Sequence, residues 1–429
     1  MRIRKATLTE IALLLVFKAL LEIAYIVFVN PIYAYMGFYL QLNALKLLES
    51  YLLLVVLFLF LPPRELKPSA IGLKLLFVLA IVPTLSLYAL KDESRPFLYL
   101  VLAGFWCTLC AIRILPRIRL ASIKDSVPAL VPVLAIVFVL AYGGLLAFAG
   151  LPKVNLDLGA VYEIRTGYVQ GLPRFMLYLV LWQANVVNSF LIALAWHKRW
   201  YFGLVGVGLL QVALFMYTGM KSVLLGPALV LFLVYAVQKR CAFRLTLQAL
   251  ILGLLFSLGV YRLAGSIMLP SLFIRRAFFV PAQNYFNYYD FFSRNQLMYL
   301  SQSILGFVLD NPYSMRVSNM MGELYYGNPS TSVNTGYLAD AYMNFGAPGV
   351  LIFSFLLGVL LVVLDSIAKK SDVTLAVAVT AVPMISLVNS ALLTTLLTHG
   401  FLVALLVLWL SSKTTSHSLK ARACAQRPP

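Results

Sequence analysis

Roughly twelve apolar stretches run through this chain, each close to the twenty or so residues that cross about 30 Å of hydrocarbon. Backbone N–H and C=O groups cannot stay unpaired in lipid, and continuous apolar runs of this length pair them as α-helix. The expected spans are 10–29, 47–62, 71–90, 97–113, 129–149, 175–196, 201–218, 222–238, 247–265, 347–365, 375–392 and 398–411. A 429-residue chain that is 62% hydrophobic and 11% charged, with a mean hydropathy of +0.91, is excluded from the ordinary soluble class. The first span follows MRIRK directly and lacks an A-x-A-like cleavage site, so it is expected to remain as the start of the topology. The expected fold is all-α: a polytopic membrane protein of about 12 helices.

One long polar interruption, 267–346, breaks this pattern and carries Arg275, Arg276, Asp290, Arg294, Asp310, Arg316, Glu323 and Asp340. A structureless loop of that length is improbable in a folded protein, so short interfacial helices are expected within it. A smaller polar segment at 150–174 centres on Glu163 and Arg165. The chain therefore divides into an N-terminal bundle at 1–266, the large loop at 267–346, and C-terminal helices with a tail at 347–429.

Orientation follows from the flanking cations. With the N-terminus cytoplasmic, that side collects Arg2, Arg4, Lys5, Arg64, Lys67, Arg113, Lys124, Lys198, Arg199, Lys239, Arg240, Lys369 and Lys370, and both polar segments fall outside. The formal charge of +19 is then mostly a topology signal, and no nucleic-acid footprint of basic residues interleaved with aromatics is present. Cys107 and Cys110 lie one helical turn apart without a His or carboxylate to complete a metal set, which favours packing over redox or zinc chemistry.

Arginine at the outer boundary runs against the positive-inside bias, and its planar fork of donors matches phosphate oxygens better than lysine does. Arg165, Arg275, Arg276, Arg294 and Arg316 all fall there, which points to an anionic lipid head group. The plainer account is ion pairing with Glu163, Asp290, Glu323 and Asp340. Lys221 snorkels or adds a phosphate contact. Lys18 and Glu22, and Lys46 and Glu49, share helical faces and are expected to neutralise each other. The run NYFNYYDFF at 284–292 reads as an interfacial aromatic belt or as rings on which sugars stack. Asn334, Tyr337 and Asn344 either bond loop backbone or bind sugar hydroxyls, and Thr394, Thr395 and Thr398 leave room for a re-entrant arrangement.

The run IRRAFFVPAQNYFNYYDFFS, followed by SMRVSNMMGELYYGNPSTSVNTGYLADAYMNFGAPGVLIF, resembles the Wzy-type O-antigen and oligosaccharide repeat-unit polymerases of the bacterial inner membrane. That resemblance implies a GT-C-like polymerase or ligase architecture and a periplasmic active site. It implies undecaprenyl-diphosphate-linked glycans as donor and acceptor, with a flippase and a chain-length regulator as pathway partners. By motif the family's important arginines fall on Arg165, Arg275 and Arg276, and SALLTTLLTHGF places His399 near the site. Independently of family, glycosyl transfer from a lipid diphosphate needs cations at the leaving group and a base for the attacking hydroxyl. Arg275 and Arg276 are expected in the first role, and Glu323, Asp340 and His399, in that order, in the second. Arg165, Lys221, Arg294, Arg316, Asn334 and Tyr337 are expected to bind substrate. No D-x-D or close carboxylate pair with ligand spacing occurs in the outer loops, so no cofactor and a metal-independent reaction are expected. An O-antigen ligase shares these features. A lipid-linked oligosaccharide flippase should instead line a central cavity with charge and show repeat symmetry.

Overall fold

The computed structural model describes residues 5–63, 65–116, 118, 127–151, 171–303, 306 and 308–412. Among them every regular element is a helix, and ten helices are long and apolar enough to cross a membrane. These are α1 (Thr7–Met36), α3 (Pro68–Leu90), α4 (Arg95–Ile114), α5 (Pro128–Ala149), α6 (Arg174–His197), α7 (Tyr201–Thr218), α8 (Lys221–Gln238), α9 (Ala242–Ala264), α12 (Gly336–Ala368) and α14 (Leu392–Ser411). The remaining helices are α2 (Ala44–Phe60), α10 (268–292), α11 (Val317–Tyr326) and α13 (Val373–Ser386). Each of the twelve expected spans contains a helix, although 387–391 and 398–400 are not helical. Two fall short of a full crossing, α2 with 17 residues and α13 with 14.

Local chemistry sets several boundaries. Asn43, Ser94 and Asp372 each accept a backbone N–H of the following first turn, at 3.2, 3.4 and 2.8 Å, and so start α2, α4 and α13. The α4–α12 pair approaches closely through small residues. A Cβ on Gly358 would stand 2.4 Å from that of Ala111, and Thr108 Oγ1 donates to Ser354 O across the seam at 2.9 Å. Without water to squeeze out, such close backbone approach is what holds membrane helices together.

Cross-links define the two ends of the bundle. At one end Ser69 donates to Asp365, Phe243 N–H donates to Glu65, and Trp196 donates to Gln238. Lys67 reaches Asp365 there, and Lys198, Arg199, Lys239, Arg240, Lys369 and Lys370 flank the same helix termini. At the other end Gln41 and Asn43 bond back to Leu90 and Ala89, and Tyr217 bonds Gly150. This second end carries the cavity and is called the site end below.

Charges within the bundle are paired, partly as expected. Lys18 meets Glu22 and donates to Ser50 Oγ at 2.8 Å, while Tyr51 donates to the other Glu22 oxygen at 2.7 Å. Lys46 and Glu49 do not neutralise each other, which corrects the expectation from their spacing. Lys46 pairs with Asp92 at 2.7 Å, and Glu49 with Arg95 at 3.0 Å, because the 91–95 turn brings opposite charges closer than the neighbouring helical turn does. A second polar cluster links α6 and α7: Gln183 donates to Asn188 Oδ1 at 2.8 Å and Asn188 to Gln211 Oε1 at 2.5 Å, while Gln211 donates to Val223 O in α8 at 2.8 Å.

α10 is the largest departure from a loop reading of 267–346. Its three consecutive stretches, Met268–Pro270, Ser271–Phe279 and Val280–Phe292, run on as one helix whose middle stretch is widened to π geometry. It packs against α1, α4 and α9. Gln283 donates to Met36 O at the end of α1, and Phe286 and Tyr289 meet Phe97 in the first turn of α4 at 5.5 and 4.5 Å. Most rings of the aromatic run therefore pack inside the protein, with Tyr289 and Phe291 half-buried. Tyr285, Phe286, Tyr288 and Phe292 are buried against protein, and the two tyrosine hydroxyls donate to Val388 O and Val333 O.

Candidate functional site

α12 begins at the site end and breaks at Phe345 and Gly346, where Gly346 takes φ +62 and ψ −149. Only glycine adopts that region without strain. The start of the expected 347–365 span is thus a kink, and an extra helical segment, 336–344, precedes it. This segment carries Asp340 and Asn344.

Asp340 and Asn344 line a cavity of about 720 Å³ with Met343, Leu300, Gln302, Ser303, Gly306, Arg174, Tyr178 and the 391–398 stretch. That volume is ample for a small-molecule ligand. Leu393, Thr394, Leu397 and Thr398 supply the wall from α14, which splits into Leu392–Leu397 and Phe401–Ser411 around Gly400. Trp182 Nε1 donates to Leu397 O at 2.6 Å. Since Trp182 lies two turns beyond Arg174, this wall reaches roughly 12 Å into the bundle from the Arg174 level. The threonine-bearing stretch is thus a break within one candidate span, Leu392–Ser411, not a separate re-entrant segment.

The opposite wall is a strap, 298–303. Tyr299 and Leu300 both sit at positive φ, +46 and +68, an uncommon state for bulky residues. Three bonds hold them there: Met298 N–H to Met343 O at 3.0 Å, Tyr299 N–H to Asn344 O at 3.2 Å, and Leu300 N–H to Asn344 Oδ1 at 2.7 Å. Asn344 Nδ2 in turn donates to Asp340 O at 2.8 Å and lies 3.3 Å from Asp340 Oδ1. Asp340 itself is only 7% exposed.

The other expected site residues are dispersed. Arg275 is half-buried on the widened stretch of α10. Its guanidinium carbon stands 4.1 Å from the Tyr33 ring centroid, and its nitrogens donate to Ser271 Oγ and approach Met36 Sδ. Burial pulls its pKa below the ordinary arginine value, with the nearby Tyr33 opposing that shift. Arg276 is exposed on the next position. Neither lines the cavity. Tyr326 lies close enough to Arg275 to feel its charge, though burial chiefly sets the Tyr326 hydroxyl above its ordinary range. That hydroxyl donates to Asn284 Oδ1 at 2.7 Å, and Asn284 Nδ2 donates to Asn334 O at 2.9 Å.

Arg294 forms an exposed ion pair with Asp290 at 2.7 Å, so for this residue the plain account holds. Arg316 and Glu323 are exposed at the start and on the surface of α11, away from the cavity wall. Lys221 opens α8 half-buried, also outside the cavity lining. Asn334 contributes its carbonyl while its side chain is exposed, and Tyr337, expected to touch substrate, is buried at 1% exposure with its N–H on Leu387 O. His399 Nε2 lies 2.9 Å from Ser390 Oγ, behind Thr398 of the cavity wall. Glu163 and Arg165 lie outside the described residues. Among the described residues no group of three or more His, Cys, Asp or Glu side chains is placed to hold a metal ion.

Sequence reasoning missed Arg174, Tyr178, Gln302 and Ser303. Arg174 had a usable signal: it is one more arginine at the disfavoured boundary, directly after the helix-opening Pro173. The strap residues had none, because only the fold brings them to Asn344.

Comparison with protein-family models, with curated proteins and with solved structures yields no match to this chain.

Proposed function

We propose that this protein is a metal-independent glycosyl-transferring polymerase of the bacterial inner membrane. It joins undecaprenyl-diphosphate-linked oligosaccharide units on the periplasmic face, moving the growing chain onto the non-reducing end of a new unit and releasing undecaprenyl diphosphate. The polar cavity at the site end carries this reading. Its wall combines hydrogen-bonding groups suited to a polyol (Gln302, Asn344, Thr394, Thr398), one aromatic ring (Tyr178), a buried carboxylate (Asp340) and a guanidinium at the rim (Arg174).

Charge distribution supports the same orientation. Lysines and arginines crowd the far end, as expected of a cytoplasmic face. At the site end Lys46, Lys91, Arg95 and Arg294 are each paired with a carboxylate. Arg174, at the cavity rim, forms no ion pair among the described residues, which keeps it available for phosphate oxygens; Arg275 and Arg316 also form none but lie outside the cavity lining. A leaving diphosphate gains negative charge as its anomeric bond breaks, and preplaced guanidinium groups in a water-poor site stabilise that charge.

Deleting the gene in its host and resolving the surface polysaccharide on a gel tests the reading. Collapse to a single-repeat product is the expected result. Loss of all attached glycan, with polymer still on its carrier, indicates a ligase instead, and loss of export altogether indicates a flippase.

A further inference from the structure

Resting on the polymerase reading, we propose that Asp340 takes the proton from the attacking sugar hydroxyl, with Asn344 as the positioning residue that aims it. Among the described carboxylates at the site end, Asp340 is the one in the cavity wall. Glu323 is exposed on α11, Asp290 is spent on Arg294 and Tyr325, and Glu49, Asp92 and Glu93 bond cations of their own. His399 has its Nε2 engaged by Ser390.

The surroundings of Asp340 fit an acceptor that is held but not used up. One carboxylate oxygen has a single long contact, 3.3 Å from Asn344 Nδ2, and among the described residues the other has no donor. The charged or titratable groups facing it are few: Arg174 and Tyr178 from α6 across the cavity, and Tyr288 from α10, whose hydroxyl is committed to Val333 O. No cation lies within ion-pairing distance among the described residues. The oxygen without a protein donor opens on the cavity, where a ligand group can reach it. A sugar hydroxyl is such a group.

Asn344 sets the aim. Its amide is pinned at both ends, by Leu300 N–H on the oxygen and by Asp340 O on the nitrogen, one turn from Asp340 and immediately before the kink. The left-handed backbone of Tyr299 and Leu300 is held by these same bonds. Strain kept in place this way is characteristic of functional sites.

In the step itself the acceptor O–H bond breaks and its proton goes to Asp340. A new bond forms from that oxygen to the anomeric carbon of the donor glycan, and the anomeric carbon–phosphate oxygen bond breaks. The electron pair leaves with undecaprenyl diphosphate, and the proton passes from Asp340 to water at the cavity mouth. No oxidant, reductant or further reactant is needed.

The test uses purified full-length protein in lipid and the single-unit undecaprenyl-diphosphate glycan that accumulates in a host lacking the gene. Wild-type protein that fails to elongate this substrate overturns the polymerase reading and the proposal with it. With wild-type elongating, Asp340→Asn is expected to lower kcat about 100-fold or more, with KM changed by no more than a few-fold. Asp340→Glu recovers part of the rate with a displaced pH profile, and Asn344→Ala lowers kcat about tenfold while leaving its pH profile in place. Retention of more than a tenth of wild-type kcat in Asp340→Asn overturns the proton-acceptor role alone. So does loss of substrate binding in that variant, measured by protection from thermal unfolding, because a binding or folding role then explains the defect.

Discussion

Asn344 Oδ1 accepts the backbone N–H of Leu300 at 2.7 Å, joining the strained strap to the helix that carries Asp340. Replacing Asn344 with Ala leaves that N–H, and the Asp340 carbonyl contact, without their partner. A buried polar group stripped of its bond costs about 1–3 kcal/mol. The Asn344→Ala protein is expected to lose several degrees of thermal stability in detergent, and Asn344→Asp at least as much, because it replaces the donor facing the Asp340 carbonyl with an acceptor and sets a second buried carboxylate beside Asp340. Wild-type unfolding temperatures in both variants contradict the clamp.

Arg275 stacks on Tyr33 with no carboxylate partner among the described residues. Neutral replacement of Arg275 and Arg276 together is expected to reduce polymer length and amount by roughly 100-fold in rate, the scale seen when a charge-stabilising donor is removed. Arg275→Lys should restore little, since lysine lacks the planar fork and its ring stacking. Normal polymer ladders from correctly inserted neutral variants would remove both residues from the site.

Glu323 stood first among the candidate bases by sequence, yet its side chain is exposed on α11 and outside the cavity. Glu323→Gln is expected to elongate within about twofold of wild type, as surface substitutions away from special features usually do. A loss comparable to that of Asp340→Asn would return it to the site.

These three cases mark how far the sequence could be read. The spans were legible because hydropathy acts along the chain: each apolar run must become a helix whatever it packs against. The threonines of α14 marked an irregular stretch, but the sequence left open a re-entrant segment where the helix instead breaks and runs on. The aromatic run of α10 was not, since the same rings suit a membrane interface and a protein core, and only the carbonyls of Val333 and Val388 decide between them. Asp340 was identified as ionisable, but its priority over Glu323 depends on burial, which a single sequence does not record. The pairing of Lys46 with Asp92 likewise belongs to tertiary contact, which overrides helical spacing.

Lys18 is fully buried and meets Glu22, Ser50 and the Tyr51 ring. Lys18→Met is expected to destabilise the protein by about 3–5 kcal/mol, because Glu22 keeps a buried charge without its partner. The double variant Lys18→Met/Glu22→Gln should recover most of that loss. Thermal unfolding of the two variants side by side checks the coupling, and additive losses refute it.

Elongation of synthetic lipid-linked substrate by purified protein is expected to proceed unchanged in excess chelator. The guanidinium groups at the site end then suffice as the cations that meet the diphosphate. Abolition by chelator, with recovery on adding Mg²⁺ or Mn²⁺, refutes that assignment.

Along Val280–Phe292, α10 buries Gln283, Asn284, Tyr285 and Tyr288 around its circumference, so this stretch packs as protein core and needs polar acceptors on several sides. Met36 is synthesised well ahead of it, but Asn334, Val333 and Val388 emerge later. The segment is thus fastened by acceptors on both sides of it in the sequence, and its seating depends on the turn after α13 as much as on the end of α1.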